Sequence, residues 1–214
     1  MKLEAITWQR MAERLAGHLD DSRGPAVEER TWQRVGIDGA PAAGTGVLAG
    51  ELADALRSRG RSVLVVAAGD FLRPASLRFE FGREDVDAYL GGWYDTGALW
   101  REVFGPTDPG GSGRVLPDLW DPVRDRATRS PYAELPPGGV LVVHGPLLLG
   151  HWFPFDLTVH ISLSEGALAR RTEEAQRWTL PAFARYERET GPGTAADVLV
   201  RADDPRHPAW TGVR

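Results

Sequence analysis

The residues that could do chemistry are concentrated in one stretch, Val35–Leu48, which reads Val-Gly-Ile-Asp-Gly-Ala-Pro-Ala-Ala-Gly-Thr-Gly-Val-Leu. An apolar run passes into a glycine-rich turn and then into a helical pattern, as a strand, a phosphate-binding loop and a helix N-terminus would. Compared with the pattern G-x-x-x-x-G-K-[ST], both loop glycines, Gly39 and Gly44, are present. Thr45 stands at the lysine position and Gly46 at the position of the hydroxyl residue. The stretch therefore predicts the backbone of a phosphate-binding loop without its two chemical side chains.

Such a loop can bind an anion through its backbone alone. The N–H groups of Gly39, Gly44 and Gly46, together with the helix dipole, do not depend on side chains. The alternative is an ordinary tight turn between a strand and a helix. Thr45 could donate its hydroxyl to the anion or cap the helix. Lys2 is the only lysine among 25 basic residues, so a cation at a bound phosphate would have to be arginine, a helix N-terminus or a metal.

Two aspartates and a histidine lie where predicted strands end. Asp38 ends the first strand, Asp70 follows the second, and His144 ends the third. The two carboxylates could hold a metal or act as a general base, and the histidine could be a base or bind an anion. The alternatives are helix capping, loop hydrogen bonding and a purely structural histidine. His151 and His160 have no metal-ligand spacing with His144, so we predict no zinc site and no bound metal.

The elements that must position these residues follow from the hydrophobic pattern. Predicted strands occupy 35–38, 62–67, 139–144, 157–162 and 197–201, and predicted helices occupy 3–19, 45–59, 84–104, 164–176 and 181–190. Residues 20–25 are expected to end the first helix, and residues 115–132 to be irregular. Strands that alternate with helices predict one α/β domain over residues 1–214, with an N-terminal helix within 1–22 and a core at 32–210. We expect a five-stranded, mostly parallel sheet with helices on both faces.

The composition limits the classes of function. The chain has 214 residues, a net charge of −5 and no cysteine, which argues against nucleic-acid binding and excludes disulfides and thiolate metal sites. It has no apolar run of about 18 residues and no signal-peptide layout, so no membrane association is expected and a cytoplasmic location is predicted. A homo-oligomer is left open.

The order of these features resembles the uridine kinase family of P-loop nucleoside kinases, especially its bacterial branch, over residues 32–210. Val35–Leu48 is similar to that family's P-loop, and Ala68-Gly-Asp-Phe-Leu-Arg-Pro74 to its Asp-Asp-Phe-x-Arg-Pro segment. The further matches are the later strand at 140–146, the arginine-bearing lid at 169–172, and the last helix and strand at 185–188 and 196–205. The resemblance implies a P-loop NTPase fold.

The resemblance also implies ligands. They would be a nucleoside, a nucleotide or another phosphate compound, with ATP or GTP as the cofactor and Mg²⁺ only if the protein is an active kinase. Arg170 and Arg171 fall in the lid, where they would close on phosphates, or they form a solvated helix face. The residues that fall where the family receives its acceptor are Arg73, Arg83, Tyr89, Trp93, Trp120 and Arg124. Their alternative is packing in the core or at the surface.

This chain differs from the family at positions where the family's side chains bind phosphate or Mg²⁺ or act as the base. The lysine that stabilises phosphate charge and the hydroxyl that holds Mg²⁺ are replaced by Thr45 and Gly46. The family's base aspartate corresponds to Gly69, with Asp70 one residue later, and the acidic residue after the later strand corresponds to His144.

Three hypotheses follow. The first is a pseudokinase that binds a nucleotide or another phosphorylated small molecule without standard Mg-ATP phosphoryl transfer, because its degenerate motif lacks the main electrostatic groups. The second is an active nucleoside kinase that uses arginines with Asp38 or Asp70. The third is an enzyme of different chemistry, with His144 and Asp70 as acid and base.

Overall fold

The computed structural model describes residues 3–22 and 32–213. The strands are β1 (Glu4–Ala5), β2 (Gln33–Asp38), β3 (Val63–Ala67), β4 (Arg114–Val115), β5 (Trp120–Asp121), β6 (Arg126–Ala127), β7 (Ala133–Glu134), β8 (Val140–Gly145), β9 (Leu157–Ser162), β10 (Val198–Arg201) and β11 (Ala209–Trp210). The α-helices are α1 (Trp8–Asp21), α2 (Thr45–Ser58), α3 (Ala75–Arg78), α4 (Val86–Gly92), α5 (Thr96–Leu99), α6 (Glu165–Arg171), α7 (Leu180–Thr190) and α8 (Pro192–Ala195). Short 3₁₀ turns lie at Pro41–Ala43, Ala68–Asp70, Gly105–Thr107 and Glu174–Thr179, and a π-helix at Trp100–Phe104.

The main sheet has the strand order β1-β11-β10-β9-β2-β8-β3. The five strands from β10 to β3 are parallel and are the five that the apolar runs predict. The predicted count of five strands is nevertheless wrong, because β1 and β11 extend one edge to a total of seven among the described residues. These two strands pair antiparallel, Glu4 opposite Trp210 and Ala5 opposite Ala209. Strands of two residues leave no periodic pattern in the sequence.

The strand that leads into the loop lies inside the sheet. β2 pairs with β8 on one side and with β9 on the other, and both pairings are parallel. In this register Asp38 lies opposite Gly145 of β8 and opposite His160 of β9. Because parallel strands point the same way, the carboxyl ends of β2, β8 and β9 meet at one edge, where ligands of such sheets bind.

Alternate residues of each buried strand face different layers. Val140 and Val142 pack in the core that contains the apolar residues of α1 and α2. Leu141 and Val143 pack in a second core that contains Val103 of the π-helix. The sheet is therefore covered on both faces, and the predicted α/β fold with a mostly parallel sheet is confirmed.

The first helix starts later than predicted. α1 begins at Trp8 because Thr7 caps it, accepting a hydrogen bond from the backbone N–H of Arg10, while residues 4–5 belong to the sheet. It ends at Asp21. Residues 23–25, the later part of the segment predicted to end this helix, lie outside the described residues. Residues 1–2 of the predicted N-terminal helix segment lie outside them as well.

Two other predicted helices are interrupted. The segment 84–104 forms α4, α5 and the π-helix, because Asp85 and Asp95 each cap a new start. Ser164 caps α6 as predicted, through the N–H of Ala167, but α6 ends at Arg171 and a 3₁₀ turn follows. The irregular segment contains the small antiparallel pairs β4–β7 and β5–β6. Within 3–22 and 32–213, no helix is long and apolar enough to cross a membrane.

Candidate functional site

The loop between β2 and α2 has the backbone of a phosphate-binding loop. Gly44 adopts a left-handed conformation, with φ of 83°, and forms the N-cap of α2. That conformation favours glycine, and a glycine cap provides no side-chain acceptor for the first N–H groups of the helix. At its other end the loop is held to β8, because the N–H of Gly39 donates to the carbonyl of Gly145 at 3.1 Å.

His144 lies against the first turn of α2. Its Nδ1 is 3.2 Å from Oγ1 of Thr45, which is buried. Burial lowers the pKa of His144, so its imidazole is neutral at pH 7. A Cβ atom built on Gly46 would lie 3.3 Å from Cε1 of the same ring. Thr45 and Gly46, which stand at the two degenerate positions of the motif, therefore both lie beside His144.

Asp38 is fully buried, and both of its carboxylate oxygens are engaged within the protein. Oδ1 accepts a hydrogen bond from the N–H of Leu148 at 2.8 Å, and Oδ2 lies 2.7 Å from Nδ1 of His160. The sequence suggests no role for His160 beyond zinc ligation, which its spacing argues against. The signal that could have found this pair is a histidine within an apolar strand, which needs a buried polar partner.

His160 contacts a second carboxylate, because its Nε2 is 3.1 Å from Oε1 of Glu187 on α7. Burial alone would lower the pKa of His160. The hydrogen bonds and charges of Asp38 and Glu187 outweigh that effect and raise the pKa to about 9. A histidine that is protonated at neutral pH therefore joins the end of β2 to α7. The neighbouring Tyr186 hydroxyl bonds the backbone of Leu149.

Asp70 lies in the 3₁₀ turn after β3 and is paired with an acid that the sequence analysis did not single out. Partial burial, and then the carboxylate of Asp118, raise the pKa of Asp70. The N–H of Leu119 donates to the carbonyl of Asp70 at 3.0 Å and holds the two segments together. Among the described residues Asp38 and Asp70 make no direct contact, and no three His, Asp or Glu side chains are grouped to hold a metal.

The two arginines of the predicted lid lie at the end of α6. Arg171 donates to the carbonyl of Ala202 at 2.8 Å. Arg170 is exposed. Hydrogen bonds from Ser164 are the main cause of the lowered pKa of Asp203, and the charge of Arg170 adds to it. Both therefore interact with the segment that follows β10.

The predicted acceptor residues divide into two groups. Tyr89 and Trp93 meet edge to face, with ring centroids 5.1 Å apart, in an aromatic cluster that includes Trp178. Arg73 donates to the carbonyl of Gly92 at 3.4 Å. Arg83 is exposed and stacks on a phenylalanine ring. These residues surround α4.

The second group lies on the β5–β6 hairpin. Nε1 of Trp120 donates to Asp125 at 3.0 Å, and Arg124 pairs with Asp121 at 3.2 Å. Arg78, which the sequence analysis missed, connects the two groups. It is 5% exposed, lies over the ring of Trp93 at 5.2 Å and approaches Asp125 at 3.8 Å.

A cavity of about 600 Å³ adjoins the loop. Ala40 of the loop, the end of β9, and the helices α6 and α7 form its walls. His160 and Glu187 are the polar pair that lines it next to apolar side chains, which include Leu168 and Phe183.

No protein-family model and no curated protein matches the chain. Solved structures do match. A possible uridine kinase from Bacillus stearothermophilus is 21% identical, with a TM-score of 0.69 over 88% of this chain and 96% of that one. A candidate fructose transport system kinase from a Silicibacter species is 22% identical, with a TM-score of 0.62 over 86% and 94%. The D-glycerate 3-kinase of Cryptococcus neoformans is 16% identical, with a TM-score of 0.51 over 86% and 80%. These likenesses show the fold, and this chain has the fold of uridine-kinase-like and related P-loop kinases.

Proposed function

We propose that this protein binds a nucleotide, a nucleoside or another phosphorylated small molecule at the Gly39–Gly46 loop and does not run standard Mg-ATP phosphoryl transfer. The observation that carries the proposal is the contact of His144 with Thr45 and Gly46. The loop keeps backbone donors for an anion, whereas the Thr45 side chain is hydrogen-bonded to His144 and Gly46 has no side chain that could hold a metal.

The same contact argues against a Mg²⁺ site of the kinase type. In P-loop kinases a serine or threonine hydroxyl after the lysine binds the metal. Here that position is Gly46, and the imidazole of His144 lies beside it. The residues present do not fit Mg-ATP, so we assign no step to a metal.

In this proposal the backbone N–H groups at the start of α2 hold the anion, while the hydroxyl of Thr45 stays hydrogen-bonded to His144. Asp38 acts as a positioning residue, because its carboxylate connects β2 to the Leu148 backbone and to His160. Arg170 and Arg171 would have to leave their contacts near Ala202 and Asp203 to reach a phosphate at the loop.

The first test is a binding screen by thermal shift, followed by calorimetry, with ATP, GTP, UTP, UMP, uridine and inorganic phosphate, each with and without Mg²⁺. We expect stabilisation by phosphate-bearing ligands that does not depend on Mg²⁺. Gly46→Asp adds a negative charge in the first turn of α2, beside His144, where it repels a bound anion and should abolish the shift. Gly50→Asp adds the same charge one turn further along α2, in open space, and should retain it.

Two outcomes would contradict the proposal. A Mg²⁺-dependent shift with a triphosphate, followed by measurable phosphate transfer to a nucleoside, would establish the active kinase instead. The absence of any shift with all six ligands would leave the loop without a ligand-binding role.

A second candidate is a repurposed enzyme in which His144 accepts a proton and Asp70 donates one. It is favoured by the opposite pKa changes, since burial lowers the pKa of His144, whereas burial and then the charge of Asp118 raise the pKa of Asp70. Such an enzyme would turn over a substrate without ATP and would lose activity in His144→Gln. Activity that survives this substitution would contradict it.

A further inference from the structure

We infer that the cavity beside the loop binds the aromatic ring of a phosphate monoester, a nucleotide or a simpler aryl phosphate, whose phosphate group occupies the loop. This inference rests on the proposed function and names the class of ligand. The juxtaposition that supports it is an apolar cavity that shares a wall with an anion-binding backbone.

The walls of the cavity are mainly apolar. Leu163 and Leu168 line it from the side of β9 and α6, and Leu180 and Phe183 line it from α7. With a volume of about 600 Å³ it lies within the range of about 300–1,000 Å³ typical of small-molecule sites. Transfer of an aromatic ring from water into such a site lowers the free energy in proportion to the apolar area that is buried.

The loop and the cavity are close enough for one molecule to occupy both. Ala40, the second residue of the loop, and Ile161 of β9 both line the cavity. The loop packs directly on that strand, since a Cβ atom built on Gly39 would lie 2.8 Å from the carbonyl oxygen of Ile161.

The polar groups of the cavity argue that the phosphate itself lies outside it. His160 is protonated at neutral pH, but both of its nitrogens are already bonded, to Asp38 and to Glu187. The remaining charged lining residues, Glu165 and Arg188, are exposed at the rim. Deep in the cavity an anion would meet His160, which two carboxylates already hold, while Arg188 lies at the rim, so an uncharged ring fits the interior better than a phosphate.

The test compares three probes that carry a phosphate group: inorganic phosphate, glycerol 3-phosphate and phenyl phosphate. Binding to the full chain is measured by calorimetry. We expect phenyl phosphate to bind at least about tenfold more tightly than glycerol 3-phosphate, because only the phenyl ring can enter the cavity.

Ala184→Trp tests the location. Ala184 lines the cavity but is exposed, so an indole placed there can fill the space without entering a core. It should remove the preference for phenyl phosphate and leave the binding of inorganic phosphate unchanged. Ala195→Trp, an equally exposed position on α8 outside the cavity, is the matched control and should keep the preference. Urea unfolding of both variants verifies that they fold.

The outcomes separate the two proposals. If inorganic phosphate binds but phenyl phosphate gains nothing, or if the gain survives Ala184→Trp, this inference is overturned and the proposed function stands. If none of the probes binds, this inference is overturned, and the proposed function fails as well only if the six-ligand screen also gives no shift.

Discussion

Nδ1 of His160 lies 2.7 Å from Oδ2 of Asp38, across the pairing of two adjacent parallel strands, and both side chains are buried. The other ring nitrogen reaches Glu187 on α7. Two carboxylates thus share one imidazolium, which explains how a chain can retain a charged histidine in a buried strand. The connection extends from the start of the loop to the helix that closes the cavity.

This relationship predicts how stability depends on pH. The pKa of His160 is raised from its ordinary value of 6.5 to about 9 in the folded protein. Its contribution is therefore fully present below pH 6.5 and is lost as the pH rises through 9. A rise of this size corresponds to about 3 kcal/mol of unfolding free energy.

The measurement is the free energy of urea unfolding between pH 6 and pH 10, in the wild type and in His160→Gln. The wild type should lose more stability over that interval than the variant, because only the wild type has the titrating ring. Parallel curves for the two proteins would show that His160 is not protonated in the fold.

Asp38→Asn removes one charge of the same arrangement. Breaking a buried ion pair from one side costs about 3–5 kcal/mol, and we expect a loss in that range from urea unfolding. Asp54→Asn is the control, because Asp54 pairs with Arg57 on the exposed surface of α2 and should cost little. Equal losses in the two variants would refute the buried pair. The pKa of His160, followed by NMR, should fall in Asp38→Asn alone.

The contact between His144 and Gly46 predicts an unusual effect of alanine. Glycine to alanine inside a helix usually stabilises a protein by about 1 kcal/mol. At Gly46 the added Cβ meets the ring of His144 at 3.3 Å, so the gain should be reduced or reversed. At Gly50, where a Cβ meets nothing within 4 Å, the gain should be complete.

A double-mutant cycle makes this prediction specific. In a His144→Ala background, Gly46→Ala should recover the usual gain, whereas Gly50→Ala should behave the same in both backgrounds. The measured quantity is the unfolding free energy of each variant. A gain at Gly46 that does not depend on His144 would show that the ring does not lie against the first turn of α2.

Asp118→Asn tests the acidic pair. The neighbouring carboxylate is the second cause of the raised pKa of Asp70, after burial. The substitution should therefore lower the pKa of Asp70 without restoring its ordinary value. Carbon-detected NMR titration of the Asp70 carboxyl group measures it. Asp121→Asn, on the adjacent hairpin, should change it less, and a pKa of Asp70 that is unmoved in Asp118→Asn would refute the pairing.

The parallel part of the fold was predictable because each buried strand is an apolar run. The glycines of the loop were also visible, since the motif fixes their spacing. The edge strands were not, because Glu4–Ala5 acquires its conformation only by pairing with Ala209–Trp210. Pairing between distant segments has no local signature in a single sequence.

The interactions of the candidate site were less predictable. Asp38 and His144 stood out because they end apolar runs, but their partners depend on strand register. His160 meets Asp38 only because β9 lies beside β2, an order that differs from the order along the chain. Asp118 lies in a segment without periodicity, and its proximity to Asp70 depends on the Leu119 hydrogen bond.

The antiparallel pairing of β1 with β11 has a consequence for protein engineering. It holds residues near the two ends of the chain side by side at one edge of the sheet. A circularly permuted chain, joined there by a short linker and opened at the exposed Gly110, would keep every pairing of the parallel strands.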